Sequence, residues 1–213
     1  ASPLSAEFFP VRLVSSTICV LFCAAITAHA ADAAKPVAST AVVTAATPGH
    51  QQTLQADIAG AKDLYLVVTD GGNGFACDWA DWIEPKLSGP KGEIKLTSLK
   101  WKSATAEWGK VAVGKNAGGY PMTVAGKPVK DGIGTHANSV IHYKLPDGYN
   151  KFSAIVGLDK GGIDQRGGAS VHFAVYTKQP PVQGAGAEAN RGPEDAVAAL
   201  DVPDDLEVKL LAA

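Results

Sequence analysis

The chain has 213 residues, 46% of them hydrophobic, with 19 Lys and Arg against 21 Asp and Glu and a formal net charge of −2. That length holds one well-buried domain with tails and leaves no room for a second full domain. The near balance of charge lacks the basic footprint that nucleic-acid binding requires, so no nucleic acid is expected as a partner.

Residues 1–30 read as a secretory leader. Arg12 precedes the apolar run LVSSTICVLFCAAIT, and Ala28 and Ala30 occupy the small-residue positions of a signal-peptidase site before Ala31. Secretion, or export to the periplasm or cell envelope, is therefore the expected localisation. The run spans about 15 residues against the roughly 20 that a membrane span needs, which makes an uncleaved anchor the weaker reading. Ile18 and Phe22, which precede Cys19 and Cys23, are not the small residues of a lipoprotein signal. The chain opens on Ala rather than Met, so a fragment or a misplaced start is expected. Once the leader is removed only Cys77 remains, and a lone thiol makes no internal disulfide, so the fold must stand on its core. Cys77 reads as a small buried residue rather than a nucleophile.

Residues 31–49, rich in Ala, Thr, Val and Pro, read as a linker. The stretch 50–178 has a period of two. DLYLVVT (63–69) is apolar on both faces and so expected to be central, while EIKLTSLKW (93–101) alternates less regularly through Ile94, Leu96 and Leu99. SVIHYKL puts Ile141, Tyr143 and Leu145 on one face, FSAIVGL does the same for Phe152, Ala154, Val156 and Leu158, and SVHFAVYT for Val171, Phe173 and Val175. Turn signals DGGNG, SGPKG, NAGG, KDGIG, PDGYN and DKGGIDQRGG separate these runs, and 23 Gly and 13 Pro in all suit many turns. The expected fold is all-β, an antiparallel β-sandwich of jelly-roll type. Residues 179–193 read as a second linker, and 194–213 as the start of a downstream domain in the same chain.

Two clusters could carry chemistry. DGGNGFACDWADWIEP holds Asp70, Asn73, Asp78, Trp79, Asp81, Trp82 and Glu84; aromatic rings beside carboxylates suit a sugar, whose C–H face stacks on an indole while its hydroxyls need polar partners. Trp82 can equally be core, whereas two tryptophans three apart in a loop are not both expected to point inward, which favours exposure of Trp79. DGIGTHANS holds Asp131, Thr135, His136 and Asn138, and in extended chain His136 and Asn138 would share a face. A lone His is more often a structural residue than a ligand. Glycoside hydrolysis would need two carboxylates about 5 to 10 Å apart, for which Asp78, Asp81, Glu84, Asp131 and Asp159 are the available groups. No GxSxG, HExxH, P-loop or GxGxxG in a βαβ setting occurs, and the 5 His are scattered singly. DGGNG does not keep the spacing of an EF-hand loop, which leaves open an oxygen-ligand Ca²⁺ site built from separate loops.

The run LKWKSATAEWGKVAVGKNAGGYPMTVAGKPVKDGIGTHANSVIHYKLPDGYNKFSAIVGLD, followed by GGASVHFAVYT, resembles the NPCBM family of carbohydrate-binding modules, related to carbohydrate-binding module family 51. SATAEWG, GIGTHANS and GLD, in this order, are its most specific pieces. The resemblance implies a galactose-binding-domain-like sandwich, without catalysis of its own, whose loops bind galactose-type or other glycans, commonly with a structural Ca²⁺. Carried over, it implies sugar-binding positions at His136, Asn138, Asp159, Asp81 and Trp82. Trp79 stands where the family often has His, and Trp108 belongs to the WG turn; both join that set. Asp78 and Asp70 are the expected metal ligands. One departure is plain: the segment similar to the carboxyl end of the module, LYLVVTDGGNGFACDWADW, comes first here, at 64–82. Either the module is circularly permuted, or residues 50–88 are the remnant of a preceding copy. Permutation is favoured because an unclosed sandwich would expose an edge strand and half its core. The last residues, PEDAVAALDVPDDLEVKLLAA, resemble the entry to large dehydrogenase-like proteins of planctomycete-type bacteria, for which this chain would be the glycan-targeting front. A structural or protein-interaction sandwich is the alternative reading.

Overall fold

The computed structural model describes residues 34–181. The leader expected over 1–30, the segment 194–213 and most of the 179–193 linker lie outside the described residues. In chain order the elements are β1 (Ala38–Ser39), β2 (Val43–Thr44), a 3-10 turn (Pro48–His50), β3 (Gln51–Asp57), β4 (Asp63–Asp70), β5 (Trp79–Gly89), β6 (Gly92–Lys95), a second 3-10 turn (Leu96–Ser98), β7 (Ser103–Ala106), β8 (Ala112–Val113), β9 (Thr123–Val124), β10 (Lys127–Pro128), β11 (Gly132–His136), β12 (Ser139–Lys144), β13 (Lys151–Leu158), the short helix α1 (Lys160–Ile163) and β14 (Ser170–Tyr176).

Two antiparallel sheets pack as a sandwich, in agreement with the all-β expectation. The first has the order β1-β14-β4-β12-β7, with β2 also on β14; the second has the order β3-β13-β5-β11-β8, with β6 also on β5. The inward residues of the alternating strands meet between them. Leu64, Leu66 and Val68 of β4, Ile141 and Tyr143 of β12, and Val171, Phe173 and Val175 of β14 face Ala80 and Trp82 of β5, Ile133 of β11, and Phe152, Val156 and Leu158 of β13 in one buried cluster. Trp82 lies at its centre, with ring centroids 5.1 Å from Phe173 of the first sheet and 6.1 Å from Phe152 of its own. The outer face of β4 is apolar as well, since Val67 packs with Ala174 and Tyr176 in a second, smaller cluster.

The strands from the front of the chain are internal to both sheets. β4 pairs with β14 on one side and β12 on the other, and β5 pairs with β13 and β11. Residues 92–178 alone would leave a gap in each sheet, so the two halves form a single sandwich.

Three expectations change. The 31–49 stretch is not linker throughout: the Val37 amide donates to Val175 O at 2.8 Å, the Thr40 amide to Phe173 O at 3.0 Å, and Val43 is fully buried. β14 offers an edge on that side, and a short run of Ala, Thr and Val satisfies its backbone groups and adds a core side chain. Within 93–101 the strand stops at Lys95 and the chain turns through Leu96–Ser98, which buries Leu96 and lets Ser98 Oγ donate to Lys95 O at 2.7 Å. Finally, the loop after Asp70 ends at Asp78, so Trp79, Asp81 and Trp82 stand on a strand rather than in a loop.

Replacing Trp82 with Ala removes the ring that bridges the sheets, and is expected to lower unfolding free energy by about 3–5 kcal/mol. Urea denaturation of the purified chain measures this; a loss below about 1 kcal/mol would mean that the sheets do not meet at this ring.

Candidate functional site

The outer face of the second sheet carries the site. In the β5–β11 pair Trp79 lies opposite His136 and Asp81 opposite Gly134. Ala80 and Trp82 are in the core, so the alternation of the strand turns Trp79 and Asp81 to the opposite face. Trp79 is 9% exposed and closely enclosed: a Cβ on Gly118 would stand 2.5 Å from its Cη2, and one on Gly161 2.7 Å from its Cε3 and Cζ3. Glycine at these two positions is what lets the backbone close on the indole.

Trp108, 48% exposed, leans over this ring with centroids 5.3 Å apart and 33° between planes. His136 lies 5.3 Å from Trp108, and Phe75, 42% exposed, stands edge-on to His136 at 6.0 Å. Phe75, Cys77, Trp79, Trp108, His136 and Gln165 line a pocket of about 280 Å³. Wider depressions, of about 410 and 550 Å³, lie over Lys86 and Glu93. Those carry no exposed ring, and part of their charge is already paired, Lys86 with Glu93 and Lys95 with Asp131, each at 3.0 Å.

The pocket has a small set of polar groups. His136 is 3% exposed, and burial pushes its pKa below the usual 6.5 against the opposing pull of Ala137 O and Glu107. It is therefore neutral at pH 7. Its Nδ1 sits against Ala137 O, which places the proton on Nδ1 and leaves Nε2 as an acceptor. Gln165 Nε2 donates to Gly161 O at 2.8 Å, and Cys77 Sγ lies 3.6 Å from Gln165 Oε1. Glu107, adjoining Trp108 in the chain, is held through Oε2, which accepts from Asn138 Nδ2 at 2.8 Å and from the Asn138 amide at 3.3 Å.

Of the residues expected to meet sugar, the structure brings together Trp79, Trp108 and His136. The others are placed elsewhere. Trp82 has no exposed surface, and a ring enclosed by Phe152 and Phe173 offers no face to stack on. Asn138 does not share a face with His136. Between them the chain leaves the second sheet at His136 and enters the first at Ser139, and the amide of Asn138 is spent on Glu107 and on the Asp70 N–H, 3.1 Å from Oδ1. Asp159, 1% exposed, caps α1 and accepts from Gly161 N at 2.8 Å, Asn116 Nδ2 at 2.9 Å and Thr123 N at 2.7 Å. Asp81 is fully buried beside it. Phe75, Gln165 and Glu107 are pocket or pocket-side residues that the sequence reading did not single out. Phe75 and Gln165 sit in turn-rich runs whose proximity only the fold creates, and the sole available signal was Glu107 beside the WG turn.

Asp78 and Asp70 form a separate acidic corner. Asp78 is fully buried; its Oδ1 accepts from Ser170 N at 2.7 Å and its Oδ2 has no hydrogen-bond partner. Burial, resisted by the Ser170 N–H and reinforced by the charge of Asp70, pushes the Asp78 pKa up to about 7. An orphaned buried carboxylate oxygen next to a second carboxylate fits a hard cation such as Ca²⁺ in donor chemistry. Among the described residues no three or more His, Cys, Asp or Glu side chains cluster into a cage, so carbonyls, amides or water would supply its other ligands.

A family model described as NPCBM/NEW2 domain matches residues 26–88 and 92–211 of the chain. No curated protein and no solved structure matches it.

The raised Asp78 carboxyl has a consequence for pH. The folded chain keeps this proton while the unfolded chain, near 3.8, releases it, so the stabilising contribution is full at low pH and is lost as pH rises from about 4 to about 7. Asp78→Asn cannot ionise. In chelator its melting temperature relative to wild type is expected to climb over that window and level off above it, whereas an offset independent of pH would contradict the assignment.

Proposed function

We propose, from the premise that the chain belongs to the NPCBM/NEW2 domain family, a non-catalytic carbohydrate-binding role centred on the pocket between Trp108 and His136. The observation that carries it is an indole 48% exposed on a loop, backed by an enclosed second indole and flanked by polar groups. The C–H face of a pyranose stacks on Trp108, while His136 Nε2, the Gln165 amide and the Glu107 carboxylate are positioned to meet hydroxyls. Galactose-type sugars are the first class to test. The carboxylates that hydrolysis would call on do not flank this pocket: Asp78 and Asp81 are fully buried, Asp159 is 1% exposed, and Glu84 and Asp131 line other depressions of the surface.

Asp70 and Asp78 would hold a Ca²⁺ whose charge would offset the cost of ionising Asp78 in the interior. The order of the two halves, with the module's carboxyl-terminal motif first and filling the centre of each sheet, supports circular permutation. The leader signature supports export, and the last residues support a place ahead of a larger dehydrogenase-like domain that the module would direct to glycan.

Two measurements test this reading. In calorimetric titration with galactosides and in a glycan array, wild type is expected to bind weakly and Trp108→Ala to lose at least about tenfold in affinity, roughly 1.4 kcal/mol, with an unchanged melting temperature because Trp108 is a surface ring. His136→Ala is expected to lose binding too; a wild-type protein that binds no glycan on the array would turn the reading to a structural or protein-interaction sandwich. Separately, Ca²⁺ is expected to raise the melting temperature more at neutral than at mildly acidic pH, since protons compete at Asp78, and Asp78→Asn is expected to abolish that gain.

A further inference from the structure

Directly behind the aromatic pocket two carboxyl groups are buried together. Asp81 and Asp159 are 0% and 1% exposed, and neither Asp81 oxygen meets an N–H or hydroxyl of the protein. Asp159 is used differently. Its Oδ1 accepts from Gly161 N and Asn116 Nδ2, which fills both lone pairs, while Oδ2 accepts only from Thr123 N and has one acceptor site left. A proton on Asp81, donated to that site, satisfies both groups at once. Two ionised carboxylates side by side without a donor between them would be strongly destabilised.

The surroundings are shaped to hold this pair. Gly134 lies opposite Asp81 on β11 and Gly157 opposite it on β13, and a Cβ at Gly134 would stand 2.2 Å from Lys115 O, so a main-chain segment lies directly on the acid pair. That segment runs on through Asn116, whose Oδ1 accepts from Tyr120 N, to Gly118, which closes on the Trp79 ring. Gly161, the other glycine against Trp79, donates to Asp159 Oδ1, and the Asp159 amide donates to Trp79 O at 3.0 Å. Both walls of the Trp79 slot are thus tied to one carboxylate.

We propose that Asp81 is a positioning residue that shares a proton with Asp159, and that this proton latches the 115–123 segment and the start of α1 against Trp79, so that the aromatic pocket opens at alkaline pH. Burial, followed by the charge of Asp159, holds the Asp81 carboxyl well above the ordinary carboxylate range. The charged groups around it are few. The turn from β13 to α1 contributes Asp159; β11 contributes Gly134 and, next along the face, the neutral His136; the 115–123 segment contributes Lys115 by its main chain and Asn116; α1 contributes Lys160, which is ion-paired with Asp164; and the 3-10 turn at Pro48–His50 contributes His50, whose carbonyl stands 2.8 Å from a Cβ at Gly157. No cation is supplied to neutralise a second negative charge.

The effect on glycan binding rests on the pocket being the glycan site; the latch itself does not, and it can be read without sugar. The probe is near-ultraviolet circular dichroism of the adjoining Trp79 and Trp108 in the full chain, with thermal unfolding followed in parallel, from mildly acidic to alkaline pH in chelator. Wild type is expected to lose the tryptophan signal at alkaline pH. Asp81→Asn, whose amide donates to Asp159 at every pH, is expected to keep it, with a melting temperature that gains on wild type as pH rises above about 4 and levels off past the folded value. Asp159→Asn, which breaks the clasp from the acceptor side, is expected to lose the signal at all pH values. Superimposable pH profiles for wild type and Asp81→Asn would overturn the proposal, as would a Ca²⁺-induced rise in melting temperature that Asp81→Asn abolishes and Asp78→Asn spares, because a cation would then stand where the proton is placed.

Discussion

β5 is the constraint on which the rest depends. Its first five residues, 79–83, run between β13 and β11, and the alternation of a pleated strand over them sends Trp82 into the core and Trp79 out of it. One shift of register would exchange the two rings, putting a fully enclosed indole in solvent and a pocket indole between the sheets. The glycines opposite the strand follow from the same requirement. Gly134 and Gly157 lie beside Asp81 because main chain, not side chain, must cover that carboxyl.

This arrangement joins stability and recognition more closely than a loop site would. Trp79 and His136 are cross-strand partners on a rigid ladder, while Trp108, Phe75, Cys77 and Gln165 come from loops. Asp159 then fastens the loops to the ladder by accepting from Asn116 and Thr123 of the 115–123 segment and from Gly161 of α1. Asn138 plays the corresponding part on the other side, where it holds Glu107 and the end of β4 through a single amide. These two polar residues act on the pocket from behind it.

Much of the fold is legible in the sequence because period two is a local signal. The sets Phe152, Ala154, Val156, Leu158 and Val171, Phe173, Val175 are buried as their alternation requires, and DLYLVVT is central, as its two apolar faces imply. What is not legible depends on partners distant in the chain. The Ala- and Thr-rich front becomes strand only because β14 offers an edge, and 96–98 turns because Leu96 has a core to enter. At the site, acids beside tryptophans read as sugar ligands, yet Asp81 and Asp159 are buried, because composition carries no sign of which face of a strand a loop will cover. Residue type marks which segments carry rings and acids; the depth of each side chain is a tertiary property. Phe75 and Gln165 show the converse, two residues distant in the chain and passed over within their own runs that the fold brings to one rim.

The enclosure of Trp79 has a thermodynamic meaning for binding. A single sugar offers an open pocket little apolar area, and every side chain or loop ordered on binding subtracts from a small gain, at roughly 0.5–1.5 kcal/mol each. A site of this size therefore works only if its walls are ordered beforehand. Here the ordering is done by the fold: two glycine contacts fix one indole, that indole supports the exposed one, and a carboxylate with three donors fixes the glycine segments. Free energy spent in folding on buried acids is recovered as a pocket that needs no rearrangement. On the proposed reading of the pocket, substitutions behind it should weaken glycan binding without touching the sugar, and buried carboxyls in such a module are to be read first as supports of the surface above them.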